Sequence, residues 1–428
     1  MKNSINYDLV IVGGGTSGCA AAYVASNLGL KTLLVEKNNF LGGLMSGGLV
    51  VPVMKSSVED INCNYYKKLV EAAKKFNAQI TYKDGNDGWF NPEILKIVLD
   101  DILTSDKIKQ NLDILFETTV KEVEIENKII KKIILESYST LISICAKDFI
   151  DCTGCGELAL LSGCEFLDDN NETQKNALRF VLGNVDFDKF CSFIKKVDDD
   201  ENITNTYRDD RDTFGELHFS TASTSDETKI WNLDKILKQA IRDGILLKQD
   251  RDYFQIFSVA GSKNQVAFNC PRINNFKNNP YKASNELIFA RKAIYRLFEF
   301  VKKYFKGFED AEITNIASQT GVREFRRVKT KYVYKMDDLI QGKKFENPVL
   351  AANYPIDVHS DEKSQITIKK IVSYELPIES LMSYDVENLF VAGKIVGADF
   401  ISHSALRVQK SCMSMAEGVV KFIYNKNR

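Results

Sequence analysis

The chain of 428 residues sets 57 Lys and Arg against 58 Asp and Glu, for a formal net charge of -1, and holds nine cysteines and three histidines. Its hydrophobic content of 44% and charged content of 27% are those of a globular protein, which excludes collagen-like, disordered and disulfide-scaffold chains. Basic and acidic residues are interspersed, so no electropositive stripe is present to draw nucleic acid or a lipid surface.

At roughly 100–200 residues per domain, the length predicts two or three domains. The cysteines run from Cys19 to Cys412 without the close, even spacing of a secreted framework, and read as reduced thiols of a cytoplasmic protein. Met1 to Val12 holds Asp8 and runs straight into glycines, leaving no apolar stretch of signal-peptide length. No window reaches the roughly 18 uninterrupted apolar residues of a membrane helix.

In chain order, Tyr7 to Val12 is a β-branched and apolar strand that meets Gly13-Gly14-Gly15-Thr16-Ser17-Gly18. An Ala-rich helix, Cys19 to Leu28, ends at Gly29, and Lys31 to Val35 is a second buried strand closed by Glu36. This βαβ order dictates a parallel pair with a right-handed crossover. A glycine-rich loop spans Leu41 to Leu49; helices are predicted for Cys63 to Asn77 and for Pro92 to Leu103, the second with Asn91 as its cap. Leu112 to Phe116 is a third strand. Val120 to Ile125, Ile129 to Leu135 and Leu141 to Ala146 form an antiparallel meander, and Phe149 to Asp151 is one more core strand, running into Cys152-Thr153-Gly154.

From Glu165 to about Asn347 the texture is mixed polar strands and irregular segments, with an acidic run from Asp198 to Glu201. One amphipathic helix stands out there, with Leu287, Ile288, Ile294, Leu297, Phe298, Val301 and Phe305 on its apolar face. Asn388 to Ala392 is a late buried strand, followed by Gly393, a loop and a helix from Ser411, so the chain returns to its first domain.

The strongest motif is Gly13-x-Gly15-x-x-Gly18 with Glu36 eighteen residues beyond it. Gly13 permits the tight turn, Gly15 lets backbone approach a pyrophosphate, and Gly18 lets helix and strand pack closely. The helix start supplies free amides and a positive dipole end for phosphates. Glu36 accepts from ribose hydroxyls and repels a 2′-phosphate, which disfavours an NADP-type cofactor. The competing reading is a glycine-rich turn in an unrelated α/β fold. FAD and NAD share this fingerprint; the second glycine loop, the meander before Thr153-Gly154 and the returning strand with Gly393 favour the longer FAD.

With these features the sequence resembles the FAD-dependent oxidoreductases of the glutathione reductase structural superfamily, more narrowly the group related to the flavin subunit of heterodisulfide reductase. The resemblance rests on VGGGTSG (Val12 to Gly18), EKNNFLGG (Glu36 to Gly43), DCTGCGELA (Asp151 to Ala159), GVREFRR (Gly321 to Arg327), YPIDVH (Tyr354 to His359), NLFVAG ending at Gly393 and SALRVQKSCMSMAEG (Ser404 to Gly418). It implies a non-covalent FAD held by Gly13, Gly15, Thr16, Ser17 and Gly18, with Glu36 on the adenosine ribose beside Lys37. It also implies Gly42, Gly43 and Leu44 near the pyrophosphate and flavin, Val120 by the adenine, and Thr153 and Gly154 closing that side. Gly393, Arg407 and Val408 then approach the flavin. The chain departs from the group at Gln409-Lys410, where Met-Pro is common, and at Cys152 and Cys155, where Ala and Asp are usual.

Cys152 and Cys155 form a CxxC, with Cys145 and Cys164 nearby. A dithiol serving the flavin would stand near Met45, so inert thiols are favoured over a redox pair, and no metal site is expected. Arg323, in a cluster with Arg326 and Arg327, either clamps a polar oxygen of a substrate or pairs Glu324 or Glu309, whereas Arg327 reads as structural. Among His218, His359 and His403, the last lies in the loop between Gly393 and Arg407 and is the candidate general base, against a structural reading. Tyr354 and Asp357 share a motif whose role is open.

The expected fold is α/β: a Rossmann-like FAD-binding domain with parallel sheet and meander, discontinuous over 1–160 and 348–428, and an inserted α+β substrate domain over 161–347. The expected function is hydride transfer between a small organic substrate, polar or anionic, and flavin N5, with a separate electron donor or acceptor and neither nucleic acid nor membrane as partner. Three alternatives stand beside it: an electron-transfer subunit of a larger complex, a monooxygenase (disfavoured by Lys394 where an acid is usual), and a non-catalytic dinucleotide-binding protein. Substrate and oligomeric state are not encoded in any recognisable motif.

Overall fold

The apolar run Leu9 to Val12 is fully buried, as a strand flanked on both sides must be. It belongs to the strand Ile5–Val12, which pairs in parallel with Thr32–Val35 on one edge and Thr140–Asp151 on the other. In this computed structural model the described residues are 5–56, 61–81, 86–167, 173–201, 203–208, 217–223, 230–277, 279–359, 367–368 and 372–428; Met1 to Ser4 of the leader reading lie outside them.

Leu112–Leu115 extends the first sheet beyond Thr32–Val35, and Leu389–Val391 pairs in parallel with Phe149 to Asp151. The late strand therefore does return to the sheet begun at Ile5. The meander differs in one respect from its sequence reading. Its third strand and the next core strand are a single strand, Thr140–Asp151, which pairs antiparallel with Ile129–Ser137 at its start and parallel with Ile5–Val12 along the rest. The polar pair that suggested a break is accommodated in the pleat. Lys147 points outward to Asp8 at 2.8 Å, while Asp148 points inward and accepts from Asn427 Nδ2 at 3.1 Å.

Helices pack over this sheet. Thr16–Asn27, whose Ala20, Ala21, Ala22 and Ala25 are buried, packs against Gln409–Lys426; small side chains permit that close approach. The C-terminal helix starts two residues before the expected Ser411. Pro92–Leu103 is capped by Asn91, whose Oδ1 accepts from Glu93 N at 3.1 Å and Ile94 N at 3.2 Å. The same side chain donates from Nδ2 to Ala260 O at 3.0 Å, linking the helix start to a loop of the second sheet. Asn91→Ala is expected to cost about 1–2 kcal/mol in urea unfolding, the loss of a cap plus a buried tie; a change below about 0.3 kcal/mol would remove the cap from the account.

The middle of the chain builds a six-stranded antiparallel sheet in the order Thr204–Arg208, Leu217–Ala222, Gln255–Ser258, Val266–Phe268, Phe180–Gly183 and Glu312–Ile316. Its core is aromatic, with Phe180 stacked on Phe268 at 4.3 Å and Phe190 edge-on to Phe219 and Phe308. The helix Pro280–Tyr304 buries Ala290, Ala293, Ile294, Leu297, Phe300 and Val301. Ile288 is 48% exposed, against expectation, because six residues from Ile294 place it about 120° round the helix. Among the described residues, no helix is long and apolar enough to cross a membrane.

Candidate active site

The turn after Ile5–Val12 is shaped by contacts that only glycine tolerates. Gly13 has φ +102°, and a Cβ there would stand 2.6 Å from Cys152 O; a Cβ on Gly18 would stand 1.8 Å from Gly13 O. The helix start is thereby drawn onto the strand end. Glu36 braces the turn: Oε2 accepts from Gly14 N at 2.6 Å, and Oε1 accepts from Asn38 N at 2.8 Å and from Asn38 Nδ2. The second glycine loop rests on the first, with Gly42 N donating to Gly14 O at 2.9 Å. From the opposite side, Gly393 presses close enough that a Cβ would meet Ser17 Oγ at 2.5 Å.

A cavity of about 940 Å³ opens from this turn and runs between the two sheets, at the upper end of the roughly 300–1,000 Å³ usual for ligand pockets. Of the residues the resemblance assigns to a cofactor, Gly13, Gly15, Thr16, Ser17, Glu36 and Lys37 line it near the turn. Gly43, Leu44, Val120, Thr153, Gly154, Gly393, Arg407 and Val408 line it as well, as does Arg323. Gly18 and Gly42 are not on its wall and act through backbone packing instead.

Asp151 is a residue that the sequence reading passed over. Its carboxylate, fully buried, accepts from Thr153 N at 2.9 Å, Thr153 Oγ1 at 2.7 Å and Ala159 N at 3.0 Å, which holds the Thr153-Gly154 turn in place. Burial raises its carboxyl above the usual range, against those hydrogen bonds. The available signal was an acid ending an apolar strand just before a Thr-Gly turn. Cys152 and Cys155 are both free thiols; burial pushes Cys152 well above the ordinary range, so it is not a thiolate nucleophile.

The GVREFRR segment divides its three arginines. Arg323 reaches the cavity and donates to Lys175 O at 2.6 Å, pairing neither Glu324 nor Glu309. Arg326 donates to Cys155 O at 3.2 Å. Arg327 is buried against Glu324 at 3.0 Å and Ala398 O at 2.7 Å, the structural role expected of it.

His403 corrects an expectation. It lies in the helix Phe400–Leu406, fully buried and off the cavity wall, with Nε2 against Lys394 O at 2.7 Å. Burial and then Arg327 and Arg407 hold its pKa well below the ordinary value, so it is neutral. The loop was short enough in sequence to suggest proximity, but Asp399 caps a helix there, accepting from Ser402 N at 2.8 Å, and turns His403 inward. His359 does line the cavity, yet both ring nitrogens are engaged: Arg272 donates to Nδ1 at 3.0 Å, and Nε2 stands 3.1 Å from Asp357 Oδ2. Burial, then Arg323, lowers its pKa to about 3. Burial works to raise the Asp357 carboxyl, but His359, Arg407 and Arg323 outweigh it and hold it well below the usual range.

A parallel α/β sheet with a glycine cradle at its first strand–helix turn, sharing one long cavity with an antiparallel sheet, defines a flavin-dependent oxidoreductase. The cradle fits a dinucleotide, since a Cβ at Gly13 or Gly43 would collide with backbone where the phosphates must approach. The chain belongs to the FAD dependent oxidoreductase family, whose model matches residues 8–420, and its cofactor is FAD.

Similarity to individual proteins is partial. Rattus norvegicus mitochondrial glycerol-3-phosphate dehydrogenase is 33% identical over 79 residues, 17% of this chain and 11% of that enzyme. Thiamine thiazole synthase of Methanococcus vannielii is 29% identical over 159 residues, 35% of this chain and 57% of that protein. The chain thus spans less than two thirds of the length of each of these relatives. Among solved structures, Aquifex aeolicus GidA superposes with a TM-score of 0.50 at 12% identity, covering 97% of this chain and 64% of that one, a likeness of fold.

Proposed function

We propose that the protein transfers a hydride equivalent between a small organic substrate and FAD, with a second, separate redox partner restoring the flavin. The observation that carries this reading is the continuity of the cavity, which joins the glycine cradle at Gly13 and Gly15 to a polar chamber walled by Arg179, Arg323, Tyr354 and Asp357. FAD, when bound, supplies the hydride-accepting and hydride-donating N5. The chain's own residues bind, orient and exclude water. Gly15, Thr16 and Ser17 offer backbone amides, Asp151 holds Thr153 and Gly154 against the cofactor side, and the arginines position the substrate. Burial raises the Tyr354 phenol well above its ordinary range, so it stays protonated and presents a hydrogen-bond donor to the substrate.

We place the chain, by its motifs, in the group related to the flavin subunit of heterodisulfide reductase, acting in the cytoplasm on a small molecule. Residues 1–160 with 348–428 form the cofactor unit and 161–347 the substrate unit. The test is the visible spectrum of the purified protein and its anaerobic bleaching by candidate reductants. A yellow protein whose flavin is bleached and reoxidised is expected. A protein that holds no flavin after FAD is added would overturn the reading.

A further inference from the structure

On the wall of the cavity that begins at the glycine cradle, guanidiniums converge with little to neutralise them. Arg179 rises from the Asn176–Gly183 segment, Arg272 from the short strand Arg272–Ile273, Arg323 from the Gly321 loop, and Arg407 from the end of the helix Phe400–Leu406. Arg179 and Arg323 are each only 9% exposed, and Arg272 only 8%. Three of the four, Arg179, Arg323 and Arg407, line the cavity; Arg272 lies behind, its guanidinium 3.9 Å over the Tyr253 ring.

Asp357 is the carboxylate of this cluster. It stands 3.8 Å from Arg407 and 3.1 Å from the neutral His359. The nearby Asp252 is paired with Lys175 at 3.2 Å. Among the described residues, neither Arg179 nor Arg323 has a carboxylate partner, and Arg179 Nε, Arg272 Nε and Arg407 Nε are buried with no hydrogen-bond acceptor. The strain is visible in their acidity. Burial, and then Arg272, Arg407 and Arg179, hold Arg323 well below its ordinary pKa, and burial lowers Arg179 to about 10. Buried charges persist only when paired, so the cluster is built around a counter-anion.

We propose that the substrate of this site is a compact organic anion bearing at least two negative charges, clamped between Arg179, Arg323 and Arg407. This rests on the oxidoreductase reading given above and adds the substrate class to it. The chamber's Tyr253, Tyr354 and His359 give the anion flat walls, and Asp357 holds Arg407 in orientation through its backbone carbonyl, which accepts from Arg407 Nη2 at 3.1 Å, and through its carboxylate. A single carboxylate satisfies one guanidinium bidentately; four guanidiniums against the one carboxylate of Asp357 leave an excess of positive charge that a monoanion cannot balance, so at least two negative charges are required.

The experiment titrates the FAD-loaded protein with malonate, succinate and glutarate, with succinamic acid and succinamide, and with ethyl phosphate, reading the shift of the flavin spectrum and, in parallel, calorimetric heat. At least one dicarboxylate is expected to bind at least tenfold more tightly than succinamic acid, with succinamide inert. Binding of ethyl phosphate in place of the dicarboxylates would assign the dianion to a phosphate monoester. Arg179→Gln and the conservative Arg179→Lys are expected to weaken the dianion by roughly 10–100-fold while FAD affinity stays within about threefold. The amides binding as well as the acids, or Arg179→Gln lowering FAD affinity and leaving the anion untouched, would overturn the proposal. Absence of flavin would sink the oxidoreductase reading instead, and calorimetry on the apoprotein would still report on the anion.

Discussion

Gly18→Ala is expected to leave a folded protein that is purified without FAD. The added methyl would stand 1.8 Å from Gly13 O, far inside contact distance, and the atom it meets is backbone that cannot rotate away. Either the helix Thr16–Asn27 slides off the strand end or the Gly13 turn opens. Both outcomes move the amides at Gly15, Thr16 and Ser17 that face the cavity. A displacement of about 1 Å in such a constellation costs on the order of 100-fold in effect, and overpacking costs about 1–3 kcal/mol of stability. FAD titration by fluorescence quenching is expected to show a loss of at least 100-fold. Gly29→Ala is the matched control. A Cβ at Gly29 meets nothing within 4 Å, although φ is +85°, so it is expected to cost about 1 kcal/mol in stability and leave FAD affinity unchanged. Equal FAD affinity in the two variants would refute the role given to Gly18.

Why this turn was legible and the arginine chamber was not is a matter of sequence distance. Gly13, Gly15, Gly18 and Glu36 act within one βαβ unit, so their spacing along the chain reports their spacing in space. Asn91 was equally readable, because a cap acts on amides two and three residues ahead. Arg179, Arg272, Arg323 and Arg407 are brought together only by tertiary packing, from four segments with nothing local to connect them; Arg323 could be singled out as a clamp and Arg407 only as a flavin neighbour, and nothing in the spacing joined them. The His403 error has the same origin. A loop of undefined shape left the direction of the side chain open, and the Asp399 cap decided it. Ile288 failed for a geometric reason, since three-to-four spacing counted along a 25-residue helix accumulates apolar residues that lie off the buried stripe.

Lys394 couples the cofactor end of the cavity to pH. It follows Gly393 at the turn where related flavoproteins of the monooxygenase type carry an acid, and its ammonium donates to Val322 O at 2.6 Å. Burial, with Arg407 and Lys37 adding to it against Cys155 and Cys412, lowers its pKa to about 8. In the apoprotein the folded state therefore disfavours the charged form. Below pH 8 both folded and unfolded chains hold the proton and the full penalty is present. Between pH 8 and about 10.5 the folded chain has released it while the unfolded chain has not, so stability rises with pH by roughly 2–3 kcal/mol after allowing for cavity water. In Lys394→Met this rise is expected to vanish, and urea unfolding of both proteins at pH 7.5 and 9.5 measures it. FAD carries two phosphates into the same cavity and restores the ammonium, so its binding near pH 9 takes up a proton in the wild type and not in the variant. Calorimetry in two buffers of different ionisation enthalpy reads that proton directly; identical uptake in both proteins would refute the linkage assigned to Lys394.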